Sequence, residues 1–288
     1  MLDYTAPSTV EEAVRILVEA PGTAKVLSGG TDLLVQLRSG RAKPGLIVDI
    51  KKIPGISGIR ERDGGFVIGA STPGAVIGEC EALQRAWPGV VEAANLIGST
   101  QVQGRASLAG NLCNASPAAD SVPALIAARA TCVVAGPRGQ REVPVESIAT
   151  APGRTSLGPG EFIVEFHLPK RPLRSADAYL RFIPRTEMDI AVVGVAVSLT
   201  LDAGGVCADA QVVLGAVAPT AILVPEAAAA LVGRKLDETA LAALDGAARH
   251  ACKPIDDKRG TIEYRTKVAG VIARRTATIA YERAGERR

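Results

Sequence analysis

The chain has 288 residues, a formal net charge of +3, 47% hydrophobic residues and only 3% aromatics. That length suits two modest domains with a real core, and the scarcity of aromatics leaves the core to Ala, Val, Ile and Leu and offers few platforms for stacking bases. Lys and Arg are spread along the chain without a dense basic run, which argues against a nucleic-acid partner. The stretch Met1 to Glu12 carries acidic groups and no apolar segment, and no run of 18 or more apolar residues occurs. Neither a secretory leader nor a transmembrane helix is therefore expected. Cys80, Cys113, Cys132, Cys207 and Cys252 are odd in number, widely spaced and without a CxxC pair. They read as thiols in a reducing cytoplasm, not as a disulfide framework, a zinc site or an iron–sulfur site.

In chain order, the apolar residues Val10, Ala13, Val14, Leu17 and Val18 recur at helical spacing. Ser8 or Thr9 can cap, and Glu11 and Glu12 fall in the first turn. Pro21-Gly22 ends this helix. A short strand, Lys25 to Leu27, runs into the bend Ser28-Gly29-Gly30-Thr31-Asp32, and Leu33, Leu34 and Leu37 start another helix that stops near Gly40. Leu46 to Ile50 reads as a buried strand. From about residue 55 the texture changes. Phe66 to Ala70 is a predicted strand, Ser71-Thr72-Pro73 opens a helix, and Val90 to Ile97 is a helix. A second small-residue stretch, Gly104 to Asn111, precedes an Ala-rich helix over Pro123 to Arg129. Strands follow at Thr131 to Ala135 and Phe162 to Leu168, then a linker at Pro169 to Pro172. Ala191 to Leu201 and Ala210 to Val217 are strands joined by an Asp202–Gly205 turn, and helices follow at 227–232, 238–250 and 264–281. Strands first and helices after fit a separate α+β module.

Two segments carry the chemistry: SGGTD at 28–32 and SLAGN at 107–111. Glycine allows close approach of backbone to a ligand, and successive amides in such bends form anion sites. Each alone reads more readily as an ordinary tight turn. Together they can grip a diphosphate from two sides. Neither matches GxxxxGK[ST] or a helix-opening GxGxxG, which excludes P-loop and Rossmann sites. The two histidines, His167 in a strand and His250 near a helix end, have no evident partner carboxylate, and no catalytic residue is assigned. Anion-gripping bends without acid–base apparatus point to a bound cofactor as the source of the chemistry.

Eight segments in order give a more specific reading: Tyr4 to Pro7, Leu27 to Leu34, Ile68 to Thr72, Gln101 to Asn111, Pro117 to Asp120, Thr155 to Glu161, Arg181 to Gly194, and Tyr264 to Lys267. On these the chain resembles the FAD-binding medium subunit of the xanthine dehydrogenase and carbon monoxide dehydrogenase family. The resemblance implies an α+β fold: a PCMH-type FAD-binding domain at 1–173, with subdomains of about 1–54 and 55–173, followed by a C-terminal domain at 174–288 with an antiparallel sheet and helices. It implies that Val26, Leu27, Ser28, Gly29, Gly30, Thr31, Asp32 and Leu33 form the first FAD loop, and Ser107, Leu108, Ala109, Gly110 and Asn111 the second. Ala70, Ser71 and Thr72 match a cofactor-lining segment, Asp120 an acidic contact, and Ile97 and Ile163 apolar positions along the flavin. Arg181 stands where many members have a Lys near the flavin, and Ile190 where some place a Tyr against the isoalloxazine ring, so both are implied to contact the cofactor. Ala109 replaces a family glycine, which matters if the loop needs a positive φ there. Surface salt bridges are the alternative reading of Arg181 and Arg185.

The implied function is electron transfer within a molybdenum hydroxylase complex. A large subunit would carry the molybdenum cofactor and a small subunit two [2Fe–2S] clusters. FAD on this chain would pass electrons to NAD, a quinone or oxygen, and the assembly would be a dimer of three-subunit units. A standalone FAD-dependent reductase and a flavin-free scaffold are the alternatives.

Overall fold

The computed structural model describes residues 2–287, so the outermost residue of each expected domain lies outside the described residues. The N-terminal unit is a parallel three-stranded sheet of β1 (Asp3–Thr5), β2 (Ala24–Leu27) and β3 (Leu46–Asp49) in the order β1-β3-β2. Its crossovers are α1 (Val10–Glu19) and α2 (Leu33–Arg38). The start of α1 is fixed by reciprocal capping. Thr9 Oγ1 accepts the Glu12 amide at 3.1 Å, and the Glu12 carboxylate accepts the Ser8 amide at 2.8 Å.

The next unit wraps helices around a five-stranded antiparallel sheet. The chain runs through β4 (Ile59–Arg62), β5 (Gly65–Gly69), α3 (Gly74–Glu79), α4 (Glu81–Ala86), α5 (Pro88–Asn95), α6 (Thr100–Gln103), α7 (Leu108–Cys113), α8 (Ser121–Ala127), β6 (Thr131–Gly136), β7 (Gly139–Pro144), the small β8–β9 pair (Ala149–Ala151, Arg154–Thr155) and β10 (Phe162–Leu168). The sheet order is β4-β5-β10-β6-β7. β10 carries a bulge between Ile163 and Glu165, the kind of irregularity that re-aims a side chain. The polar edge strands β4 and β7 are absent from the sequence reading.

The last unit has a four-stranded antiparallel sheet, β11 (Ser175–Phe182), β12 (Val193–Leu201), β13 (Cys207–Gly215) and β14 (Ile222–Leu223), followed by α9 (Pro225–Ala229), α10 (Glu238–Ala251) and α11 (Ile262–Glu286). The predicted strand over 210–217 starts earlier and stops at Gly215, because Ala216 turns to φ 65°. Strand alternation divides this sheet between two cores. Ala176, Ala178, Val195 and Val197 pack with α11, whereas Tyr179, Ala196 and Val213 join the core of the preceding unit. β11, also unforeseen, thus faces two interiors. The mixed architecture has the two-part α+β composition expected from the sequence.

Candidate functional site: a cleft between two small-residue bends

A cleft of about 450 Å³ lies at the carboxyl end of β2, the end where open parallel sheets bind ligands. The two bends meet there although 79 residues separate Ser28 from Ser107. The Ser28 hydroxyl lies 2.8 Å from the Ser107 hydroxyl and 2.8 Å from that of Ser71. Gly29 is pressed so closely on the second bend that a Cβ would stand 1.9 Å from the Arg105 carbonyl oxygen. Gly30 takes φ +81°, and a Cβ there would meet Leu27 Cδ1 at 2.9 Å. Both positions demand glycine, the first for space and the second for conformation. The amides of Gly29, Gly30, Thr31 and Asp32 donate to no other group among the described residues. Such a run of free donors in a cleft is a seat for an anion.

Of the residues expected at the site, Val26, Ser28, Gly29, Gly30, Thr31, Asp32, Leu33, Ile97, Ser107, Ala109, Gly110, Asn111 and Ile163 line this one cleft. Leu27, Ala70, Ser71, Thr72, Leu108, Asp120, Arg181 and Ile190 are not in its lining. Ser71 stands behind the first bend. Thr72 is buried, donates to the Gly69 carbonyl at 2.7 Å and accepts the Gly58 amide at 3.0 Å. Ala70 and Leu108 are core residues. Ile190 is 50% exposed, and its amide donates to the Asp189 carboxylate at 2.8 Å.

Ala109 needs no positive φ. It is the second residue of α7, after Ser107, whose hydroxyl caps the helix by accepting the Gly110 amide. Alanine is favourable there, so the departure from glycine leaves this bend regular.

Arg181 corrects the surface-salt-bridge alternative. Its side chain is only 4% exposed, and it donates to Asp120 at 2.8 Å. Tyr179 donates to the same carboxylate at 3.0 Å. Burial pushes the Asp120 carboxyl up to about 6, while the Arg181 charge and the two hydrogen bonds pull the other way. Arg185 does form a surface pair, with Asp189 at 3.3 Å. The Asp120 cluster connects to the cleft through Asn111, whose Oδ1 accepts the Ser121 hydroxyl at 2.7 Å. His167 also differs from expectation: it has two carboxylate partners, Glu165 at 2.7 Å and Glu142 at 3.2 Å. Glu142 sits on the unforeseen β7.

Sequence reading missed several lining residues, among them Lys25, Cys113, Asn114 and the segment around Gly158-Pro159-Gly160. The Gly-Pro-Gly run signals a tight bend. Glu161 shapes it by accepting the Gly158 amide at 2.8 Å while pairing with Arg141 at 2.8 Å. Gln36 donates to Asn114 at 3.0 Å and ties α2 to the end of α7. Burial, with a smaller effect from Cys132, pushes the Cys113 thiol up to about 12, so it stays neutral in the wall. Burial likewise raises the Asp32 carboxyl.

The cleft therefore offers unpaired amides, hydroxyls and short side chains at its two bends, and apolar walls at Ile97 and Ile163. That donor set fits a dinucleotide diphosphate with a flat ring system beside it. Fold and cleft define a cofactor-binding α+β protein. Residues 1–171 match the family described as FAD binding domain in molybdopterin dehydrogenase, and residues 178–280 match the CO dehydrogenase flavoprotein C-terminal domain. The chain belongs to this family, as an FAD-binding medium subunit of the molybdenum hydroxylases, which are oxidoreductases. It is 32% identical over 98% of its length to the 6-hydroxypseudooxynicotine dehydrogenase complex subunit alpha of Paenarthrobacter nicotinovorans, covering 95% of that protein. It is 33% identical to the carbon monoxide dehydrogenase medium chain of Hydrogenophaga pseudoflava, covering 98% of this chain and 97% of that one. A solved structure of the Hydrogenophaga pseudoflava carbon monoxide dehydrogenase, in a form lacking the Mo-pyranopterin moiety of its molybdenum cofactor, superposes with a TM-score of 0.94 at 34% identity over 98% of both chains. No helix among the described residues is long and apolar enough to cross a membrane.

Proposed function

We propose that this chain carries electrons in a molybdenum hydroxylase complex, taking them from [2Fe–2S] clusters on a small partner subunit and delivering them to an external acceptor such as NAD, a quinone or oxygen. The large partner holds the molybdenum cofactor, and the complex is a cytoplasmic dimer of three-subunit units. FAD, when bound, supplies the redox chemistry, since flavin exchanges electrons singly or in pairs. The chain itself binds and orients. Ser28 to Leu33 and Ser107 to Asn111 hold the diphosphate, with main-chain amides as the principal donors. Val26 and Leu27 lead into the first bend, and Ala70 to Thr72 support it from behind. Ile97 and Ile163 exclude water along the flavin. Asp120 and Arg181 fix the end of α8 against β11, and Ile190 lies at the exposed rim. The FAD-binding domain in this reading is 1–173, divided near 54, and the C-terminal domain is 174–288.

The observation that carries the reading is the junction of the two bends, with four free amides in one cleft. The purified chain is expected to show flavin absorption at about 375 and 450 nm and to co-purify with molybdenum- and iron-bearing partners. Gly29→Val is expected to remove the flavin bands, because its side chain would force the bends apart. A colourless wild-type protein that takes up no FAD would leave only the scaffold alternative. Flavin without such partners would favour the standalone reductase.

A further inference from the structure

The first bend does not hold its shape alone. β2 and β3 run side by side with Leu27 opposite Asp49, so the bend leaving β2 lies next to the 3-10 turn Ile50–Lys52 that leaves β3. From that turn the Lys51 ammonium donates to the Ser28 carbonyl at 3.0 Å. The same ammonium contacts Asp49 at 2.7 Å, and Asp49 also accepts the Lys51 amide at 3.0 Å and the Tyr4 hydroxyl at 2.8 Å. Burial works against the charged Asp49, but these three donors outweigh it and hold its carboxyl below the usual range. Tyr4, Asp49 and Lys51 thus form one continuous network that ends on a backbone oxygen of the bend.

In a planar trans peptide the carbonyl and the following N–H point in opposite directions. Fixing the Ser28 carbonyl on the Lys51 side therefore fixes the Gly29 N–H on the other side. Gly29 lines the cleft, and its amide heads the run of free donors. The Ser28 side chain is anchored independently, by Ser71 and Ser107. Lys51 does not itself line the cleft.

We infer that Lys51, oriented by Asp49 and Tyr4, is a positioning residue that sets the Ser28–Gly29 peptide for diphosphate recognition. The inference rests on the FAD reading above. It is tested on the full-length, flavin-stripped chain by measuring affinity for FAD and, separately, for ADP, which shares the diphosphate but has no flavin. Lys51→Met keeps most of the stem and removes the donor. Both affinities are expected to fall by the same factor, about ten- to a hundredfold, the scale of one charge-assisted hydrogen bond, while the ligand-free thermal midpoint also drops because Asp49 loses its cation. Lys51→Arg should restore part of both affinities, and Tyr4→Phe should lower both by a smaller factor. Unchanged affinities in Lys51→Met, or a loss for FAD without a loss for ADP, would overturn the inference. So would a lowered ligand-free midpoint without any affinity change. A wild-type chain that binds neither FAD nor ADP would instead refute the FAD reading.

Discussion

Asp120 shows how a single buried carboxyl records its surroundings. Its partners, Arg181 and Tyr179, are both in place, yet burial still raises it from 3.8 to about 6. A carboxyl raised on folding favours the folded state most below its unfolded value, and that contribution is lost as pH rises through about 6. Removing the cation should steepen this dependence. Arg181→Met is expected to destabilise the chain by about 3–5 kcal/mol at pH 8, where an uncompensated carboxylate is left buried. The loss should be clearly smaller at pH 5, where Asp120 is protonated. Urea unfolding of wild type and variant at the two pH values checks this, and an equal loss at both would count against the stated cause.

Among the elements, β11 is the instructive case. Its sequence alternates Ala176, Ala178 and Leu180 with Asp177, Tyr179 and Arg181, a pattern that suggests a solvated polar face. The structure buries that face against the FAD-binding unit. Asp177 meets Arg171 at 2.5 Å, and the Arg171 guanidinium lies 3.7 Å from the centre of the Trp87 ring. Burial pushes Asp177 up and pulls Arg171 down to about 10. Asp177→Ala should therefore cost about 3–5 kcal/mol, because it leaves a buried guanidinium without its anion. The double variant Arg171→Met/Asp177→Leu should recover most of that loss, as denaturant midpoints would show. Helices α1 and α10 and strand β12 were legible because one of their faces is apolar, and α11 because Ala269, Ile272, Ala273, Ala277 and Ala280 recur on one face despite the buried Arg265 and Thr276 beside them. The edge strands β4 (IRER) and β7 (GQREVP) were not, since charged, exposed residues suit an edge and erase the hydrophobic signal.

Across the whole molecule, the β11–β13 sheet belongs to two cores at once. Tyr179, Ala196 and Val213 complete the core that also contains Trp87, while Val195 and Val197 serve the core under α11. The two parts should therefore unfold together. Fluorescence of Trp87, the one tryptophan in the sequence, and far-ultraviolet circular dichroism, which weights the long α10 and α11, are expected to give one coincident transition. FAD should move both signals to higher temperature by the same amount. Two separated transitions would show that the shared sheet does not couple them.

By itself the sequence determined where the two small-residue bends fall and where the helices and strands with an apolar face run. The glycines of SGGTD, the small residues of SLAGN and the apolar periodicity of the helices act through neighbours a few residues away, and the ordered motifs gave the family resemblance. Only the tertiary structure decided that Ser28 meets Ser107, that Lys51 grips the Ser28 carbonyl, and that Asp120, Asp177, Arg171 and Arg181 are buried. Those facts depend on which surfaces pack together. Local preferences fix a segment's conformation, but whether a charged side chain ends in water or against a partner is set by the distant chain that covers it.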